Sequence, residues 1–236
     1  YAGRDPELKR VRALRGQRPS HDPQAWQTLA EMGWLGCRLP EHLQGTPLTH
    51  VQLALLLEQV GASLAPEPLI AAVVLAGGLL QSGSNDGLKA RWLPRLAAGE
   101  WLPAFAGTEA NTAGEPARMR SVGNGYVLDG RKAFVAHGES ADAFVVSARA
   151  PEGACLVLVP RDAPGVAVLT QARIDGGTWS DVTFTQVAVG AAAIVASGPA
   201  VDGLVERVLD ETRLAISAEL VGLMSRAFEL TIDYVT

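Results

Sequence analysis

The spacing of hydrophobic positions changes twice along the chain. From Asp22 to Gly99 they recur at intervals of three and four, the period of amphipathic helices. Asp22-Pro23 is a helix start, an acidic cap followed by Pro at the first helical position, and Trp26, Leu29, Met32 and Trp34 follow it to Gly36. Val51, Leu55, Leu56 and Val60 outline a second helix, closed by Gly61. Pro66-Glu67-Pro68 opens a third, through Val73, Leu75 and Leu79 to Gly83. Asn85 caps a fourth, through Leu88, Trp92 and Leu96 to Gly99.

From Trp101 to about Val189 the runs shorten and become β-like. Tyr126-Val127-Leu128 leads through Asp129-Gly130, a two-residue turn dipeptide, into Ala133-Phe134-Val135. Strands are then predicted at Ala143–Ser147, Cys155–Val159, Val166–Leu169 and Val182–Val189. Many short strands joined by short turns predict an antiparallel barrel or sandwich, not an alternating β-α-β sheet. Ser197-Gly198-Pro199 ends that regime. Val205, Leu209, Ile216, Leu220, Leu223, Ala227, Leu230 and Tyr234 then mark one stripe of a long helix, which calls for partner helices. The result is an α+β multidomain chain: an all-α domain over 1–100, a central antiparallel β domain over 101–196, and over 197–236 the opening helix of a C-terminal bundle whose other helices lie outside the chain.

The 236 residues are 48% hydrophobic and 19% charged, a globular composition. A net charge of −5 argues against nucleic acid or an anionic membrane as the main partner. The apolar run Leu69–Leu80 is short of the roughly 20 residues that cross a bilayer, and reads as a buried helix. Cys37 and Cys155 lack disulfide or zinc spacing, and the Arg-rich Tyr1–Ser20 stretch has no signal-like apolar run; a cytoplasmic setting is expected.

Generic motifs supply little chemistry. His21, His42, His50 and His137 are scattered, so no metal site is expected, and no G-x-S-x-G elbow exists. Gly123-x-Gly125 falls in a turn between strands, the wrong setting for a dinucleotide fingerprint. Two features remain. The segment Phe105–Glu115 is rich in small residues and hydroxyls, which suits backbone approach to an anionic or planar ligand but equally a surface loop. Asp210 and Arg213, three apart on one helix, read by themselves as an intrahelical ion pair.

Taken in order, these segments resemble the acyl-CoA dehydrogenase family. Trp34-Leu35-Gly36 with Leu39-Pro40-Glu41 is similar to the family's "GxxGLxxPExxGG", and the run Lys89–Glu100 to its approach to the β domain. Thr108-Glu109 stands where the family writes "TEPGAGSD", Gly130–Gly138 where it writes "GxKxWITNG", and Leu209–Arg213 resembles "FDxTR". The resemblance implies a helical domain, a β domain and a C-terminal four-helix bundle, assembled as a tetramer or heterotetramer. It implies FAD, an acyl-CoA substrate, and an electron-transfer flavoprotein as electron acceptor. In that chemistry a carboxylate removes the α proton of the acyl group while the β hydrogen leaves as hydride to flavin N5. By position, Phe105, Gly107, Thr108, Gly114, Phe134, Val135 and Ala136 would contact the flavin, and Gly114, Asp210 and Arg213 the acyl-CoA.

The departures are specific. Ala110, Asn111, Gly114 and Glu115 replace Pro, Gly, Ser and Asp of the loop motif; Phe134 and Ala136 replace Trp and Thr of "WIT". Two hydroxyls are lost, each worth about 0.5–1.5 kcal/mol. Thr212 occupies the position where some members carry the catalytic glutamate, and Glu211 lies about 100° away around the helix. The resemblance therefore places the base beyond Thr236. Three functions fit: an FAD-dependent acyl-CoA dehydrogenase; a non-catalytic or half-site subunit of a heteromeric one, whose small subunits the Ala65–Leu79 stretch resembles; and a flavin-dependent monooxygenase on the same fold.

Overall fold

The computed structural model describes residues 9–110 and 115–236. Helices α1 (Lys9–Leu14), α2 (Pro23–Glu31), α3 (His50–Ala62), α4 (Gly78–Ser82) and α5 (Asp86–Ala97) precede the strands, and α6 (Val201–Val235) follows them. The predicted start caps at Asp22 and Asn85 hold, whereas the helix opened by Asp22 stops at Glu31 and Trp34–Gly36 forms a separate 3-10 turn. Asp22 accepts from Gln24 N at 2.9 Å, and Asn85 from Leu88 N at 3.1 Å. Thr49 and Gln52 form a reciprocal capping box on α3.

Two further helical details differ from expectation. In α3 the buried face is Leu53, Leu57, Val60 and Gly61, whereas Val51 is 71% exposed and Leu55 60%. The Leu69–Gly77 stretch is buried and helical, but it winds as a π-helix before continuing directly into α4. Such widened turns are rare in long runs. This one is rich in alanine, follows Pro66 and Pro68, and packs against β1 and α6.

The strands are β1 (Pro103–Ala106), β2 (Arg118–Val122), β3 (Gly125–Ala136), β4 (Ala143–Ala150), β5 (Gly153–Pro160), β6 (Val166–Ala172), β7 (Thr178–Gly190) and β8 (Ile194–Ser197). They form one mostly antiparallel sheet in the order β6-β7-β3-β2-β4-β5-β8. The expected antiparallel character holds for most of the sheet, with a local parallel exception. β1 pairs parallel with β4 along four residues, and β2 touches β4 in parallel at Arg118–Arg149. Among the described residues no helix crosses between β1 and β4, and the β2–β3 hairpin lies in the interval.

Asp129-Gly130 is not a hairpin turn. Strand β3 runs straight through it, and the turn falls at Gly123-Asn124. Gly130 instead sits at a register shift against β7 with φ of 154°, where a Cβ would come within 2.6 Å of Ala117. Asp129 is held by Gln186, whose backbone N–H donates to it at 2.8 Å.

Helix α6 buries a different seam from the predicted stripe. Val208, Thr212, Ala215 and Gly222 pack inward. Ile216, Leu220, Leu223 and Leu230 remain substantially exposed. The close side is made possible by glycine: a Cβ on Gly61 would lie 1.9 Å from the Glu219 carbonyl oxygen, and one on Gly222 1.8 Å from that of Glu58. No helix among the described residues is long and apolar enough to cross a membrane.

Candidate functional site

A cleft of about 1170 Å³ opens between the sheet, the π-helical segment and α6. Two parts of its sheet side carry the residues predicted to meet the flavin. The end of β1 and the turn after it bring Phe105, Gly107 and Thr108 to it, and β3 brings Phe134 and Ala136.

Strand β3 presents Phe134 through an irregularity. Its pairing with β7 slips between Lys132 and Val135, and Phe134 takes a φ of 56°, left-handed for a non-glycine residue. The side chain consequently stands 64% exposed in the cleft, edge-on to Trp179 with ring centroids 6.3 Å apart. Arg173 covers the Trp179 ring at 4.5 Å. Val135 turns the other way, into the core, so its side chain does not line the cleft.

Behind the turn lies a buried cation. Lys132 is fully buried; its ammonium donates to Ser147 Oγ at 3.0 Å, to the Gly107 carbonyl at 3.2 Å, and to the Glu109 carboxylate. Burial holds the ammonium below its ordinary pKa, while Glu109 works against that shift. Backbone bonds from Ala133 N to Thr108 O (2.9 Å) and from Ala110 N to Arg131 O (3.2 Å) complete the attachment. The Gly107–Glu109 turn is therefore bound to β3 and β4 and is not a free surface loop. A Cβ on Gly107 would lie 2.3 Å from the Phe105 ring, so any other residue there would displace that ring.

A polar cluster stands at one end of the cleft. Ser20 Oγ donates to Glu139 Oε1 at 2.7 Å and lies 3.3 Å from His137 Nδ1. Because a hydroxyl has one hydrogen, donation to Glu139 leaves Ser20 to accept from Nδ1–H, which makes His137 the neutral Nδ1–H tautomer. Burial pushes His137 down to about 4. For Glu139, burial pushes upward, but hydroxyl bonds from Thr178 and Ser20 outweigh it and hold the carboxyl at about 2.

Helix α6 supplies the facing wall through Val205, Leu209, Thr212, Ile216, Glu219 and Leu220. Asp210 and Arg213 are not in that wall. They pair with each other on the outer side, 73% and 60% exposed, and Arg213 also lies 3.7 Å from Glu206. Glu211 points away as its helical angle requires, onto Arg38. Thr212 does line the cleft, its hydroxyl donating to Val208 O at 2.7 Å. Gly114 lies outside the described residues. Sequence reasoning did not anticipate Trp179, Arg173 or Glu219. Only Glu219 left a signal, a charge in register with Thr212 and Ile216.

Comparison with known proteins fits this geometry. Residues 5–100 match the acyl-CoA dehydrogenase N-terminal domain, and residues 104–187 match its middle domain. Acyl-CoA dehydrogenase FadE27 of Mycobacterium tuberculosis is 28% identical over 213 residues, covering 90% of this chain and 56% of that protein. The ChsE4-ChsE5 complex of Mycobacterium tuberculosis superposes with a TM-score of 0.86 at 27% identity, over 96% of this chain and 63% of that one. A variant of the Tcur3481-Tcur3483 steroid ACAD gives 0.81 at 30%, over 95% and 60%. The chain thus spans rather less than two thirds of the length of these relatives. On matches that run from the first helices into β7, and on a fold that agrees with them, the chain belongs to the acyl-CoA dehydrogenase family.

Proposed function

We propose that this chain forms the flavin and acyl-CoA site of an α,β-dehydrogenating enzyme. The observation that carries the reading is convergence: the Phe105–Thr108 turn and the Phe134–Ala136 strand end meet in one cleft, opposite α6. The residues present fit FAD. Gly107 leaves backbone exposed beside the Phe105 ring, Phe134 and Trp179 offer aromatic surface, and Thr108 offers a hydroxyl. Bound there, the flavin would supply the hydride acceptor that no side chain can provide.

The chain's own residues do the positioning. Lys132, through Glu109 and Gly107, fixes the turn that would hold the ring edge. Ile70, Leu75, Ile216 and Leu220 line an apolar passage suited to an acyl group and to excluding water from it. Thr212 binds its own helix backbone and carries no carboxylate, so it is not the group that takes the α proton. Electrons would then pass to an electron-transfer flavoprotein.

A second reading is favoured by that same Thr212 and by the likeness to the ChsE4-ChsE5 complex: a half-site subunit that completes a cofactor site with a different chain. One preparation separates the two. Full-length protein purified alone should be yellow, and its flavin should bleach anaerobically with an acyl-CoA. Protein that is colourless alone and yellow only after co-expression with a partner supports the half-site. Failure to retain flavin in either preparation would overturn both.

A further inference from the structure

Six carboxylates line the cleft among the described residues: Glu67, Glu109, Asp175, Asp202, Glu206 and Glu219. Five have a cation. Glu67 takes Arg10 at 2.5 Å, Glu109 takes Lys132, and Asp175 takes Arg173. Asp202 takes Arg149 at 3.3 Å, and Glu206 lies 3.7 Å from Arg213. No hydrogen bond or ion pair from a described residue reaches the Glu219 carboxylate.

Its surroundings make that isolation costly. Glu219 follows Thr212 and Ile216 at helical spacing, on the cleft-lining face of α6. Its neighbours along the cleft-lining face of α6 are Ile216, Leu220 and Leu223, and the Gly61 backbone of α3 lies directly against its own. Burial pushes the carboxyl above its ordinary pKa, with no neighbouring charge to offset it. A leucine would fill this place without desolvation cost; a half-buried carboxylate facing the cleft is stabilised by a ligand that brings it a donor.

The position says what that donor belongs to. Helix α6 starts beside the sheet, where Val201 packs, and reaches α3 at Glu219. Glu219 lies about 10 Å along the axis from Thr212, at 1.5 Å per residue. An acyl group whose thioester lay near Thr108 and Ala136 would share one cleft with Glu219. We propose that Glu219 accepts a hydrogen bond from a hydroxyl or protonated amine on the distal part of the acyl group, selecting donor-bearing acyl chains over plain alkyl ones and against terminal carboxylates. The inference rests on the acyl-CoA reading of the cleft.

The test uses flavin-loaded full-length protein, with its partner subunit if one is needed. Its probes are acyl-CoAs matched in length that end in methyl, hydroxyl, amine or carboxylate, with Kd read by calorimetry. Donor-ended thioesters should bind about tenfold to hundredfold tighter than the methyl-ended one, the worth of a hydrogen bond to a charged group. Glu219→Leu should reverse that order, and Glu219→Gln should keep the hydroxyl preference while losing the amine's advantage. Equal or tighter binding of the methyl-ended thioester to the wild type would overturn the proposal, as would a donor preference that survives Glu219→Leu. If no thioester binds at all, the acyl-CoA reading itself fails and takes this inference with it.

Discussion

The Lys132 ammonium donates to the Ser147 hydroxyl at 3.0 Å from a position with no solvent exposure. The bond joins β3 to β4, and the same nitrogen reaches Glu109 and Gly107 in the cleft-lining turn. A buried cation makes the two partners unequal under mutation. Glu109→Gln leaves a buried charge without its counter-ion and should cost about 3 kcal/mol. Lys132→Met removes the buried charge and leaves Glu109, which is partly exposed, so it should cost clearly less. Urea unfolding of both variants tests this; equal midpoints would show that the ion pair is not what holds the turn.

Acid should weaken the fold in two stages. The folded-state pKa of His137, at about 4, lies below its ordinary 6.5, so the unfolded chain takes up a proton first as pH falls. The stability tied to neutral His137 is complete above about 6.5 and is lost between there and about 4, at a slope of up to roughly 1.4 kcal/mol per pH unit. Glu139 is held at about 2 against an ordinary 4.5, so its contribution is complete above about 4.5 and fades toward 2. A stability–pH curve for His137→Asn should lose part of the slope between pH 6.5 and 4, the remainder belonging to His21, which burial also holds below its ordinary value, while keeping the lower one. An unchanged curve would show that His137 is not held neutral by the fold.

Parts of this architecture were legible because they are written locally. Asp22 and Asn85 carry their own capping oxygens, and Gly83 and Gly99 mark helix ends that the structure keeps. Where two signals compete, the sequence misleads. Gly123-Asn124 and Asp129-Gly130 are both turn-formers, and only strand pairing decides that the first turns and the second bulges. In α3 the run Leu53-Ala54-Leu55-Leu56-Leu57 is apolar on every side, so no unique buried face can be read from it. In the cleft, Lys132 in a strand reads as solvent-facing until β1 and β4 cover it. Glu219 reads as a break in an apolar stripe until α3 closes beside it.

The crossing of α3 and α6 should tolerate no methyl group. Alanine at Gly61 or Gly222 would place a carbon within 2 Å of a backbone carbonyl on the other helix, where no side chain can yield. Forced separation should cost more than the 1–3 kcal/mol typical of an added core methylene, roughly 3 kcal/mol or above. Gly203, in the same helix α6, has nothing within 4 Å of a built Cβ. Gly203→Ala should be neutral or raise stability by about 0.5–1 kcal/mol through helix propensity. Thermal melts of the three variants would show whether contact or propensity governs this helix; similar losses in all three would refute the close crossing.

Phe134 allows fold and cofactor to be separated. Its φ of 56° costs about 1–2 kcal/mol for a side-chain-bearing residue, and its ring buries little, being largely exposed in the cleft. Phe134→Gly relieves the strain but adds unfolded-state entropy, so stability should shift by less than about 1 kcal/mol. If the ring forms part of the flavin slot, the same variant should lose flavin on dialysis faster than the wild type. Ala136→Thr, which restores a hydroxyl at a cleft-lining position two residues on, should retain it longer, by up to about tenfold in affinity. Flavin absorbance after exhaustive dialysis, compared with the melting curve of each variant, reads the two effects independently. Flavin retention unaltered in both, with the fold intact, would place the ring elsewhere than against β3.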